Sequence, residues 1–367
     1  LVQGSNWMDL ITQNALTQDY NISVSGGTES GYYAISGNYT DQEGIIKNSD
    51  FNRYTLRANV AQKVTSWLEI GLNSTFARTA TNFAKTNSFD FGIIKSAMIF
   101  PTTYAPQTDV TQIDDELTWL SANPYLYVMT AKDRMTSIIA FNSAFAEVKF
   151  TNWLKFRQNL GINYSANSRG SYYNSRTGEG QAPSINGKAG QSDDWYSNVT
   201  SESLLTFDKT FNEIHAINAV VGFTYENANY GSKAMTATNF PDDFTYEYDM
   251  SKALVPGKLQ SGRGESALMS ILLRANYSLM DRYMFTVSYR RDGSSKFAPG
   301  NKYANFASGA IAWRASEEAF IKDLNIFSDL KLRLSFGQTG NQAIGNYATM
   351  PSLATSNYPI GGTASSG

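Results

Sequence analysis

Residues of alternating character recur along this chain, and a period of two leaves little freedom in what it can fold into. In "RYMFTVSYRRDGSSKF", Arg282 to Phe297, the side chains of Tyr283, Phe285, Val287 and Tyr289 fall on one side of an extended strand, with Met284, Thr286, Ser288 and Arg290 on the other. One face is greasy and the other wet. The pattern suits a sheet laid over a buried core, and it suits equally a strand whose greasy face meets lipid.

About a dozen such segments are read along the sequence. Tyr20 to Ser25 and Tyr33 to Tyr39 are joined by "GGTES", Asn52 to Val60 and Leu68 to Phe76 by "AQKVTSW", and Thr136 to Phe150 and Leu154 to Tyr164 by "TNW". Gln158 interrupts the apolar face of the last of these. A strand near Tyr196 to Phe207 turns through "DKTFNE" into His215 to Tyr225, and Ala267 to Leu279 turns through "MD" into the stretch quoted above. Tyr303 to Trp313 and Leu330 to Phe336 complete the set, bridged by "RASEEAFIKDLNIFSD", which suits a short helical turn.

Between these groups the strand pattern lapses from Ala77 to about Arg134, from Ser165 to Asp194 and from Asn227 to Gly264. Compact domains usually connect their elements with about 4 to 6 residues. Short and long connections alternate, so in an up-and-down order the long ones leave from one end. A sandwich or a propeller has no reason to do this, whereas transmembrane β-barrels combine short turns at one end with long loops at the other. The expected fold is therefore all-β, a transmembrane antiparallel up-and-down β-barrel, with residues 1–18 as a connector and 19–367 as the barrel domain. The last residues, "SLATSNYPIGGTASSG", read as a Gly/Ser-rich loop.

Composition agrees with this fold and excludes several functions. Charged residues make up 17% of the 367, below the about 25% of soluble domains, while aromatics make up 13%. No uninterrupted apolar run approaches the ~18 residues of a transmembrane helix. A net charge of -2 supplies no basic field, so no nucleic-acid partner is expected. With no Cys and the single His215, neither a metal, a cofactor nor an enzymatic nucleophile is expected. The chain opens at Leu1-Val2-Gln3 without Met and is read as an internal piece of a longer protein.

Two stretches go beyond pattern. "DYNISVSGGTESGYYAISGNYTDQEGIIKNSDFNRYTLRANV", Asp19 to Val60, resembles the early barrel strands of the SusC/RagA family of TonB-linked outer-membrane transporters. "DRYMFTVSYRRDGSSKFAPGNKYANFASGAIAWRASEEAFIKDLNIFSDLKLRLSFGQTGNQAIGNY", Asp281 to Tyr347, resembles the mid-barrel signature of the same family. The resemblance implies nutrient import across a Gram-negative outer membrane, of oligosaccharides or peptides, with a SusD-like surface lipoprotein as lid and the TonB complex as source of energy. It implies a barrel of twenty-two strands around an N-terminal plug. This sequence carries neither a plug nor a TonB box, and its dozen strands fall short of that barrel. An open sheet is expected, with edge strands near Tyr20 and near Leu330 to Phe336.

Within this reading Lys155, Arg157, Arg274, Asn276 and Arg290 face the polar lumen, and Tyr225, Tyr277, Tyr283 and Tyr289 mark the membrane belts. Trp119, Tyr125, Tyr127, Trp195, Tyr246 and Tyr248 sit in the long connections with Tyr172 and Tyr173. Exposed rings there stack on sugars, grip a peptide or meet a lid; alternatively they pack on one another. "RRDGSS", Arg290 to Ser295, is either an anion clamp or a strand end leaving the membrane through an Asp292-Gly293 turn. His215 reads as an interfacial ring. The acidic runs Asp114-Asp115-Glu116, Asp193-Asp194 and Asp242-Asp243 lack cation-loop spacing and read as solvated. Two other classes share much of this pattern: a passive porin or adhesin barrel, and a soluble glycan-binding β-protein that would bury its greasy faces. A hydrolase would need a nucleophile and base that no motif supplies.

Overall fold

The computed structural model describes residues 4–86, 92–107, 123–177 and 186–351, together with the backbone of 357–360 and 363–366. Twelve strands hydrogen-bond in chain order: β1 (Thr17–Thr28), β2 (Gly31–Glu43), β3 (Asp50–Lys63), β4 (Leu68–Asn82), β5 (Lys132–Lys149), β6 (Leu154–Tyr173), β7 (Lys188–Phe211), β8 (His215–Thr238), β9 (Val255–Leu279), β10 (Tyr283–Ser294), β11 (Tyr303–Arg314) and β12 (Lys331–Gly337). The order leaves β1 and β12 at its two ends, where the open edges are expected. Four short α-helices stand between strands or before them: α1 (Trp7–Ile11), α2 (Ile93–Ile99), α3 (Pro124–Thr130) and α4 (Ala319–Lys322). The last of these confirms the helical turn expected before β12.

Three expectations need correction. β6 to β9 run far past the predicted ends, which shortens the second and third long connections to 174–187 and 239–254. Once both faces of a strand are wet, backbone pairing persists while hydrophobic alternation disappears, as in "SANSRGSYY" at the end of β6. Asp292-Gly293 is likewise no turn; β10 continues through it, because a side chain at 293 would collide with the Tyr303 ring packed there. The Gly/Ser-rich end, finally, contains a hairpin, β13 (Asn357–Ile360) with β14 (Thr363–Ser366), and two residues between strands is a hairpin spacing.

The chain forms two compact units, with β5 to β9 contributing to both. The first comprises Leu1–Ala146, Asn159–Val199 and Ala228–Gly264. Its tightest core is made by helices rather than by the sheet: Trp7, Ile11, Ile93, Ala97, Phe100, Tyr127 and Val128 pack around Ile46 of the β2–β3 turn. The Trp7 ring meets Phe100 edge-on at 5.0 Å, and its indole N–H donates to the Pro101 carbonyl at 3.2 Å. α3 begins where the Asn123 side chain accepts from the Tyr125 and Leu126 amides, with Pro124 in the first turn, where it costs no helical hydrogen bond. The predicted connector thus contributes two anchors to a packed core. A second cluster gathers Tyr172, Ala189, Ala237 and Phe240 beneath the 239–254 segment.

The second unit comprises Glu147–Gln158, Thr200–Asn227 and Glu265–Gly367. Here Gln158 receives its explanation: Nε2 donates to Ser201 Oγ at 3.1 Å, and Ser203 Oγ donates to Gln158 Oε1 at 2.6 Å. The polar break in one apolar face is matched by polar partners from another strand.

In both units the apolar strand faces are exposed. Ile22 is 79% exposed and Val287 63%, and Ile271, Leu273 and Phe285 are exposed beside the half-buried Met269. A soluble protein that buried these faces would show the reverse.

Candidate functional site

The strongest concentration of polar side chains on a strand face lies in the second unit, and it contains all five residues expected to line a lumen. Register explains why. Arg274 pairs with Ser288 and Asn276 with Thr286 across β9 and β10, so their side chains share the face opposite Leu273, Phe285 and Val287. Asn276 is the hub: its Oδ1 accepts from Thr286 Oγ1 at 2.9 Å and from Arg274 Nε at 3.5 Å, while its Nδ2 donates to Asn218 Oδ1 at 3.3 Å. Asn218 in turn donates to Asp208 Oδ2 at 2.9 Å. Lys155 and Arg157 share one carboxylate, Glu147, at 3.4 and 3.6 Å, and that carboxylate is largely buried.

Arg290 has more to offer. Its Nε donates to Asp292 Oδ1 at 2.6 Å and its Nη2 to Ser270 Oγ at 3.0 Å, which fixes the guanidinium plane. Arg290 and Asp292 line a cavity of about 350 Å³ with Lys302, Phe306, Asn341 and Gln342. The pocket holds both signs of charge, two amides and an aromatic ring, a donor and acceptor set able to hold a hydroxylated or peptide-like solute. Spacing on one strand predicted the face of Arg290; Lys302, Asn341 and Gln342 were missed because they come from loops.

The belt tyrosines all lie in this unit as well. Tyr277 stacks on His215 at 6.1 Å, and its hydroxyl lies 2.8 Å from His215 Nδ1, so the lone histidine belongs to an aromatic row that continues to Phe285. Tyr283 donates to Glu318 at 2.6 Å and Tyr289 to Asn305 at 2.7 Å. Tyr225 is exposed at 41%.

The aromatics assigned to the long connections divide. Trp119 and the run Asp114-Asp115-Glu116 lie outside the described residues. Tyr127 is 3% exposed, and burial pushes its phenol well above the ordinary range, so its ring is packing, not contact surface. Tyr125 is half-buried on α3. Trp195 lies on β7 rather than in a loop, its ring held over Gly231. Tyr246 packs edge-on against Tyr172 at 5.6 Å. Tyr248 is 69% exposed and accepts from Arg134 at 3.1 Å. Of the acidic pairs, Asp193-Asp194 is on β7, and Asp243 accepts from the Tyr172 hydroxyl at 2.7 Å and Ser175 Oγ at 2.9 Å. Among the described residues no three His, Cys, Asp or Glu side chains converge as metal ligands would.

An up-and-down antiparallel sheet with one wet face and one exposed apolar face defines the class, the wall of a membrane β-barrel, and comparison places it among TonB-dependent receptors. Over its full length the chain superimposes on 41% of a chain in the structure of the RagAB peptide transporter, with a TM-score of 0.82 at 22% identity. It also matches the ferric citrate transporter FecA, with a TM-score of 0.52 at 12% identity over 83% of this chain and 40% of that one. The particular resemblance is carried by sequence. The chain is 30% identical to TonB-dependent receptor P3 of Formosa agariphila, over 96% of this chain and 36% of that protein. It is 26% identical to TonB-dependent receptor SusC of Bacteroides thetaiotaomicron, over 98% of this chain and 38% of that protein. No family model matches. The resemblance to the SusC/RagA transporters read from Asp19–Val60 and Asp281–Tyr347 therefore extends along almost the whole chain, which itself spans little more than a third of those relatives.

Proposed function

We propose that this chain is part of the barrel wall of an outer-membrane importer of the SusC/RagA kind, with residues 1–18 leading into the wall and 19–367 forming it. The importer draws energy through TonB, works with a SusD-like lid lipoprotein and takes up oligosaccharides or peptides. The observation that carries this reading is the opposition of faces across one sheet: Arg274, Asn276 and Arg290 stand in a hydrogen-bonded polar network while their strand neighbours Leu273 and Val287 are exposed and apolar. A polar interior passes solutes and an apolar exterior meets lipid. Similarity to SusC, and to a structure described as a peptide transporter, supports import over a passive pore.

In this function Lys155, Arg157, Arg274, Asn276 and Arg290 line the solute path, Tyr225, Tyr277, Tyr283 and Tyr289 lie in the membrane interfaces, and Tyr248, with Tyr125, Tyr246, Trp195 and Trp119, meets solute or lid. Passage is by binding and gating, with no covalent step.

The test is uptake of the native nutrient by cells carrying the full-length protein, before and after the proton-motive force is collapsed. Uptake should stop, and the lid lipoprotein should co-purify. Uptake that continued at its original rate would replace this reading with a passive porin.

A further inference from the structure

The outward face of the first unit holds one cation that the importer reading leaves unused. Across β1 to β4 the registers align two rows of side chains: Tyr20, Tyr39, Tyr54 and Arg78, and beside it Ile22, Gly37, Leu56 and Phe76. The tyrosines form a continuous aromatic strip, with ring centroids 6.4 Å apart from Tyr20 to Tyr39 and 4.7 Å from Tyr39 to Tyr54. In the second row Gly37 leaves a gap. The result is a groove of about 860 Å³ floored by Gly37 and walled by Ile22, Leu56, Phe76 and the tyrosines, with Arg78 at one end. Arg78 is exposed and makes no hydrogen bond, ion pair or ring contact among the described residues.

We infer that this groove binds an anionic, phosphate-bearing lipid, an acyl chain lying over Gly37 between Ile22, Leu56 and Phe76 and the phosphate meeting Arg78. The inference rests on the outward face meeting lipid, as the proposed importer requires. An arginine on such a face costs about 2 to 4 kcal/mol at mid-membrane and about 0 to 1 near the interface. Arg78 stands near the Asn82 end of β4, from which the long connection leaves, and level with the tyrosine strip, so it is at the interface. A guanidinium there with no carboxylate partner has its complement in lipid phosphate, which it binds through two parallel N–H donors. The second unit repeats the theme, with the Arg291 guanidinium on the outward face of β10, 5.0 Å over the Tyr303 ring. That arginine is already engaged by an aromatic ring, whereas Arg78 adjoins a vacant apolar groove.

The experiment is native mass spectrometry of the full-length protein in mild detergent, titrated with dioleoyl phosphatidylglycerol or with dioleoyl phosphatidylcholine. The wild type should retain one phosphatidylglycerol with a preference of about fivefold over phosphatidylcholine, the size expected of one basic residue near a lipid surface. Arg78→Gln should abolish the preference. Gly37→Val should weaken retention of both lipids by filling the groove; a side chain at 37 meets only Ile22 Cγ2, at 3.7 Å, so the strand tolerates it. Arg57→Gln removes the same charge from the opposite face and should change nothing. Equal retention by wild type and Arg78→Gln, or an equal loss in Arg57→Gln, would overturn the site. Failure here leaves the uptake test untouched, and loss of energy-dependent uptake leaves lipid retention measurable, so the two claims fall separately.

Discussion

Arg169 forks onto Asp133, Nε to Oδ1 at 2.7 Å and Nη2 to Oδ2 at 2.6 Å, and so joins β6 to the first residues of β5. The same guanidinium lies 5.1 Å over the Phe83 ring, and the Phe83 amide donates to the Asp133 carbonyl at 2.8 Å. One ion pair thereby holds together the beginning and the end of the longest connection.

Arg169 is half exposed, so solvent screens part of the attraction, but Asp133 is 8% exposed and would be left uncompensated. Arg169→Ala should cost about 1 to 3 kcal/mol locally. Arg169→Lys should restore less than half of this, since an ammonium keeps the charge and loses the fork. Hydrogen exchange of residues 83–86 and 123–134 in the full-length protein reads the effect, and unchanged protection in Arg169→Ala would refute it.

Trp7 tests whether the first residues are passive. Its ring is 2% exposed among Ile11, Phe100 and Tyr127, so Trp7→Ala should cost about 3 to 5 kcal/mol of the stability of the helical cluster. Proteolysis near α2 should accelerate while strand hydrogen exchange remains slow. A protease pattern identical to wild type would mean the connector carries no structural load.

The trio of Gln158, Ser201 and Ser203 makes a nonadditive prediction. Gln158→Leu alone leaves two hydroxyls without their amide and should destabilise by about 1 kcal/mol. The triple change with Ser201→Ala and Ser203→Ala removes every stranded group and should recover wild-type stability or exceed it. Urea titration of the barrel in lipid vesicles distinguishes this from simple additivity.

Glu318 predicts an acid limb. It accepts from Tyr283 at 2.6 Å, Trp313 Nε1 at 3.2 Å and Arg282 Nη1 at 3.3 Å, and the Tyr283 hydrogen bond is the largest cause holding its carboxyl below the ordinary value. A depressed folded-state pKa contributes stability above the unfolded value and loses it as pH falls through the folded one. The melting temperature of Glu318→Gln should therefore lie below wild type at pH 7 and converge with it in the range below the normal carboxylate pKa. A gap that stayed constant on acidification would rule out this linkage.

Strand existence, pairing order and facing were legible in the sequence because each follows from local alternation: Tyr283, Phe285 and Val287 emerge on one face and Arg274, Asn276 and Arg290 on the other, as a period of two requires. Alternation carries information only where the two faces meet different solvents, so the polar upper parts of β6 to β9 were read as loop and Trp195 with them. The buried helical core, the partners of Gln158, the packing of Tyr127 and the loop walls of the Arg290 pocket all unite residues distant in sequence. Such contacts depend on where the folded backbone brings side chains together, and only the tertiary structure decides that.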